Sequence, residues 1–388
     1  MMKGMREMVL KLIMLAVFFA VMIAVGIYCR RHASDVNGFV LGGRSVGPWL
    51  TAFAYGTSYF SAVIFIGYAG QFGWKFGIAS TWIGIGNALI GSLLAWVILG
   101  RRTRLMSQHL NTATMPEFFG KRFDSNSLKI GASVIVFIFL IPYTASLYNG
   151  LSRLFGMAFS IDYSICVIVM AVLTGIYVIA GGYMATAIND FIQGIIMLLG
   201  IVAVIIAVLN GHGGFTESLS ELAHVTDSAY PDNPGVFASF FGPDPLGLLS
   251  VVILTSLGTW GLPQMVQKFY AIKSEKSINK GTIISTIFAL IVAGGCYFLG
   301  GFGRISGVST DEAGMPIGGY DAVVPQMLEN LPNILMGVVV ILVLSASMST
   351  LSSLVLASSS TLTLDFIKGN IVKKMSDKKT VLTMRVFV

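Results

Sequence analysis

Charge is scarce in this chain. Only 11% of its 388 residues are Asp, Glu, Lys or Arg, whereas 55% are hydrophobic. A soluble domain carries about a quarter charged residues, so with a mean hydropathy of +0.81 a water-soluble globule is excluded. Cysteine is almost absent: Cys29, Cys166 and Cys296 stand alone, which rules out a disulfide framework or a spaced thiolate metal site. The four histidines, His32, His109, His212 and His224, fall in loops. No His/Cys cluster or Ser–His–Asp arrangement accompanies them, and an intramembrane enzyme is not expected. Acidic residues are rarest of all in the apolar stretches, where Asp190 is the one expected at membrane depth.

What fills the chain instead is a series of apolar runs, several of them near the roughly 20 residues that span a bilayer as helix. Spans are expected near 8–28, 49–71, 78–100, 128–152, 162–180, 188–208, 249–268, 280–302 and 333–361, about nine helices in one all-α polytopic domain covering 1–388. Arg30 and Arg31 follow the first run where a signal peptide would have small residues, so that run is read as a span. The net charge of +7 does not point to nucleic acid, because its distribution is that of a multi-pass protein. With the N-terminus outside, 19 of the 25 basic residues fall in cytoplasmic segments, including a loop at 268–280 with Lys268 and the C-terminal cluster at 368–385. The external loop 209–248 has no Lys or Arg but carries Glu217, Glu221, Asp227, Asp232 and Asp244. Lys3, Arg6 and Lys11 lie on the opposite side from this bias.

Three spans and one carboxylate carry unusual polarity. In "LVLSASMSTLSSLVLASSS", residues 342–360, nine of nineteen side chains bear a hydroxyl. Ala346, Ser349, Thr350 and Ser353 share one helical face. Small residues allow close helix packing, and hydroxyls with carbonyls also suit a hard cation. The second span carries Gly56, Thr57, Ser58 and Ser61 at mid-depth, the composition of a locally unwound helix whose freed Thr57 and Phe60 carbonyls could face those hydroxyls. Gly258, Gly261 and Pro263 interrupt a third span beside Thr255, Thr259 and Trp260. Discontinuous helices meeting near the midplane mark substrate sites in secondary transporters. Asp190 reads either as a helix cap or as a functional carboxylate.

"GFVLGGRSVGPWLTA", "TSYFSAVIFIG", "PYTASLYNGLSRLF", "YVIAGGYMATAINDFIQG", "GLPQMVQKFYA" and "SASMSTLSS" occur in this order along nearly the whole chain. Together they resemble the sodium:solute symporter family, carriers of proline, pantothenate, sialic acid, sugars and iodide. The resemblance implies a LeuT-type inverted five-plus-five repeat with an extra N-terminal helix, and Na+ as the coupling ion. It implies a principal sodium site from the carbonyls of Thr57, Phe60 and Ala346 with the hydroxyls of Ser349 and Thr350. A possible second sodium site matches Asp190, Ser349, Ser352 and Ser353. Ser58, Tyr59, Ser61, Thr255, Thr259 and Trp260 are expected to line the solute site.

The family's repeat has ten core helices, and this chain ends as the ninth begins, so the last core helices are expected to be missing. The family's proline carriers have an acidic residue at the position of Tyr59 and aromatic residues at those of Thr255 and Thr259. The expected function is alternating-access import of a small organic solute, an amino acid such as proline or a carboxylate. A sugar, sialic acid or pantothenate is the alternative. A channel is more distant, since no repeated filter or ring of charge is present. The expected location is the plasma (inner) membrane.

Overall fold

The computed structural model describes every residue except 1, 160, 161, 228, 313, 330 and 373. Lys373 and the side chains of Lys3, Arg6 and Cys166 therefore lie outside the described residues, as do those of residues 149, 150 and 152 in the fourth span and of 153–155 after it. The described residues are helical with no strands. Six helices are long and apolar enough to cross a bilayer, and the bent pair Pro245–Gly261 with Pro263–Ala271 makes a seventh span.

Two of the six are too long for one crossing. At about 1.5 Å per residue, the 45-residue helix Val167–Gly211 would run to about 68 Å, against a hydrocarbon core of about 30 Å. Each of the two is interrupted at a glycine with positive φ, Gly77 (φ 61°) and Gly182 (φ 54°). A Cβ at these positions would lie 2.1 Å from the Phe237 carbonyl oxygen and 2.7 Å from that of Phe39, so only glycine fits there.

Both expected breaks are present. In the first broken span Pro48–Tyr59 ends at Phe60, whose backbone is extended (φ −85°, ψ 121°). The chain resumes through a π-helical turn, Val63–Tyr68, into Ala69–Phe76. Gly56 stays helical and faces Phe288, so the unwinding falls just past the glycine. In the second broken span Pro245–Gly258 passes through the 3-10 turn Thr259–Gly261 and an extended Leu262. Pro263 then starts Pro263–Ala271, where its missing N–H is harmless, at a bend of 53°. The helix Glu275–Gly300 packs along Pro48–Tyr59, and the bent helix Tyr163–Gly211 lies between Met2–Cys29 and the late helix Asn333–Ser360.

Three expectations need correction. Lys268 is not in a cytoplasmic loop at 268–280: it lies on Pro263–Ala271, is 1% exposed, and only 272–274 connect that helix to the next. The late helix does not stop near 361 but continues as a π-helix to Ile371. Asp190 is also not the only buried acid on a spanning helix: Asp365 on that extension is fully buried, near Thr114 and Lys129.

Candidate functional site

The late helix and the break of the first broken span meet at five oxygens. Ser349 Oγ donates toward the Thr57 carbonyl at 3.2 Å and the Ala346 carbonyl at 3.1 Å. Thr350 Oγ1 lies 3.2 Å from the carbonyls of both Thr57 and Phe60, and 3.1 Å from that of Ala346. The Phe60 carbonyl is available because the extended backbone there ends the helical ladder. Those of Thr57 and Ala346 accept bonds beside it. All five residues are buried. Adjacent oxygens around a cation held at about 2.3–2.6 Å stand roughly 3.3–3.7 Å apart. The hydroxyl–carbonyl distances of 3.1–3.2 Å are close to that spacing. Each hydroxyl need only turn its hydrogen away. The cage is uncharged, which suits a monovalent ion that must leave again.

Asp190, Ser352 and Ser353 lie one to two turns away, and a lysine stands among them. Lys268 Nζ is 3.7 Å from Asp190 Oδ2 and donates to Ser353 Oγ at 3.0 Å. Ser353 Oγ is also 2.8 Å from Ser58 Oγ, and the ammonium lies 5.1 Å from the centre of the Tyr183 ring. Ser352 donates to the Ser349 carbonyl at 3.0 Å. Asp190 is two turns past the Gly182 bend and makes no hydrogen bond, so it does not cap a helix. The sequence reading did not include Lys268 in this group. Its signal was a lysine in the apolar stretch that follows Pro263.

A cavity of about 360 Å³ opens beside the two breaks. Tyr59, Ser61, Thr255 and Thr259 line it, as expected, together with Tyr68, Phe72, Tyr143 and Tyr297, which were not foreseen. Tyr59 Oη is buried and has no hydrogen-bond partner. None of the described side chains lining the cavity is charged. Two expected lining residues are elsewhere. Ser58 points toward Ser353, because neighbouring helical positions diverge by about 100°. Trp260 packs against the cluster of Tyr55, Trp96 and Phe269 and donates to the Ile90 carbonyl at 3.0 Å. Asn87, also unforeseen, accepts from Thr255 and Ser256 at 3.1 Å and fixes the second break.

The arginine-rich end of the bundle is stitched shut. Arg44 donates to the carbonyls of Thr112 at 2.6 Å and Tyr270 at 3.3 Å, and to Ser107 Oγ at 3.2 Å. Arg104 holds the carbonyls of Ile272 and Lys273, both at 2.9 Å. Gln267 donates to the Val40 carbonyl at 2.8 Å. These bonds converge on the segment that follows Pro263, below the cavity.

Two discontinuous spans, a dry cage of neutral oxygens at their meeting with a hydroxyl-rich helix, and an adjacent cavity closed at one end are the construction of a cation-coupled secondary transporter. A model of the sodium:solute symporter family matches residues 39–388, and the chain belongs to that family. It is 32% identical over 390 residues to the sodium/proline symporter of Staphylococcus aureus (strain JH9), covering 97% of this chain and 72% of that one. It is 29% identical over 384 residues to the osmoregulated proline transporter OpuE of Bacillus subtilis (strain 168), covering 97% and 75%. Its fold is similar to the outward-open, substrate-bound state of a Na+-coupled sialic acid symporter, with a TM-score of 0.81, 17% identity, and 97% and 77% of the two chains covered. Mhp1, a nucleobase-cation-symport-1 transporter in a closed conformation, gives a TM-score of 0.55 at 14% identity over 90% of this chain and 72% of that one. The protein is thus a multi-pass, sodium-coupled solute symporter; the family and these relatives are transporters rather than enzymes.

Proposed function

We propose that this symporter imports a small amino acid such as proline, with sodium held by Thr57, Phe60, Ala346, Ser349 and Thr350. The convergence of those five oxygens carries the reading: the Thr350 hydroxyl stands within 3.2 Å of all three carbonyls and the Ser349 hydroxyl within 3.2 Å of two of them, all on buried residues. The same break serves both ligands. Phe60, whose carbonyl faces the cage, lies in the chain between Tyr59 and Ser61, which line the cavity. Sodium binding would order the break and set those two side chains for the solute, and this would link the two affinities. A cavity whose described lining is uncharged, with aromatic and aliphatic walls and a free tyrosine hydroxyl, suits a small zwitterion with an apolar body. The relatives named as proline transporters support the same class.

The finer architecture belongs to this proposal. We read one transport domain over 1–388, an inverted five-plus-five repeat preceded by one extra helix, in which the two broken spans are the first members of each half. The first span would be the extra helix and those that follow would belong to the repeat. The N-terminus would be outside the plasma membrane and the arginine-rich end would be cytoplasmic, so the cavity faces outward. Alternating access would then require release of the Arg44, Arg104 and Gln267 contacts. Uptake of labelled proline into vesicles, with an inward sodium gradient against an equal potassium gradient, tests the function. Accumulation under sodium alone is expected. Melting curves with sodium and a panel of amino acids, carboxylates and sugars would replace proline by another solute if only that solute stabilises the protein.

A further inference from the structure

Asp190 and Lys268 form the most deeply buried ion pair among the described residues, at 0% and 1% side-chain exposure. They come from different spans. Asp190 is on the bent helix and Ser353 on the late helix, whereas Lys268 is on the second half of a broken span. Of the four residues matching a second sodium site, Asp190 and Ser353 face the ammonium at 3.7 and 3.0 Å. Ser349 is turned to the first cage, and Ser352 to the Ser349 carbonyl. The Tyr183 ring completes the surroundings of the ammonium.

We propose that the Lys268 ammonium is the resident cation of this second site, so that the protein couples one sodium to each solute. The inference rests on the sodium-symport reading of the first cage. A lysine here supplies what a second ion would: one positive charge against Asp190 and a bond to Ser353. Being covalently tethered, it stays with the protein, moves with its half-helix and draws nothing from the sodium gradient. A free cation entering beside it would meet a like charge at contact distance, which in a protein interior weakens binding on the order of 10³-fold. For a neutral solute, one sodium supports about fiftyfold accumulation per ~100 mV of membrane potential, whereas two support on the order of 2,000-fold.

The test is sodium stoichiometry. Paired fluxes of radiosodium and labelled proline in vesicles, with sodium titrations of melting temperature in sodium–potassium mixtures of constant ionic strength, are measured for the wild type. One sodium per solute and a Hill coefficient of one are expected. Lys268→Ala exposes Asp190 to solution ions, and its Hill coefficient should rise above one; Lys268→Arg should keep it at one. In Asp190→Asn/Lys268→Met, with no charge at the site, the coefficient should stay at one. A wild-type ratio of two that falls to one in Asp190→Asn overturns the proposal, as does a coefficient of one in folded Lys268→Ala. Should Lys268→Ala fail to fold, the wild-type ratio and the double variant still decide. Absence of any sodium response in the wild type overturns the symport reading along with the proposal. A response with two ions overturns only the proposal.

Discussion

Removing the lysine and leaving its partner should be far more damaging than removing both. Lys268→Met keeps the length and volume of the side chain but leaves Asp190 as a buried carboxylate with no hydrogen bond. Breaking one partner of a buried pair costs about 3–5 kcal/mol, a large fraction of a net stability of about 5–15 kcal/mol. The pair itself is not well made. Its separation is 3.7 Å, and the carboxylate has no other donor to offset the desolvation of two charges. Asp190→Asn/Lys268→Met should therefore be within about 1 kcal/mol of the wild type, or more stable. The four proteins of this double-mutant cycle are compared by thermal melting in detergent without sodium. Coupling of about 2 kcal/mol or more, with the double variant rescuing the single one, is expected. Additive effects with equally mild singles would mean that the two charges do not face each other.

Other outcomes follow from the same geometry. Thr255→Val or Thr259→Val at the cavity wall should raise the proline concentration for half-maximal uptake several-fold, with the sodium response unchanged, as measured in vesicles. Arg44→Ala removes the clamp on Thr112, Ser107 and Tyr270. It should favour the inward-open state and increase labelling of a cysteine placed at Gln267, which the clamp now buries. For orientation, an impermeant maleimide applied to intact cells should label a cysteine at the exposed Ser220 and leave one at Ser376 untouched. The reverse pattern would invert the topology.

Both breaks were legible because their causes are local. Hydropathy marks depth, and Pro263, or a glycine beside hydroxyl residues, weakens a helix wherever the chain folds. The five-oxygen cage was legible through the resemblance and through the single face shared by Ala346, Ser349 and Thr350. Lys268 was misread for a general reason. Charge beside an apolar run is ordinarily a loop, and only the fold reveals that a distant Asp190 offsets it. Asp365 was missed for the same reason, since a π-helical extension beyond a hydroxyl-rich helix has no sequence mark. Ser58 and Trp260 were assigned to the cavity from proximity to a break. The direction of each side chain depends on which backbone unit unwinds, and that unit proved to be Phe60 and Leu262.

The most direct test of the sodium cage is Thr350→Val, a volume-conserving change that removes one hydroxyl from among the Thr57, Phe60 and Ala346 carbonyls. Losing one of five oxygen ligands, at about 1.5–3 kcal/mol for a bond to a charged group, should raise the half-saturating sodium for proline binding roughly 10- to 100-fold. Proline affinity at saturating sodium should remain within about twofold of the wild type. An unchanged sodium dependence in folded Thr350→Val, or a loss confined to proline affinity, would contradict the assignment of these five oxygens to sodium.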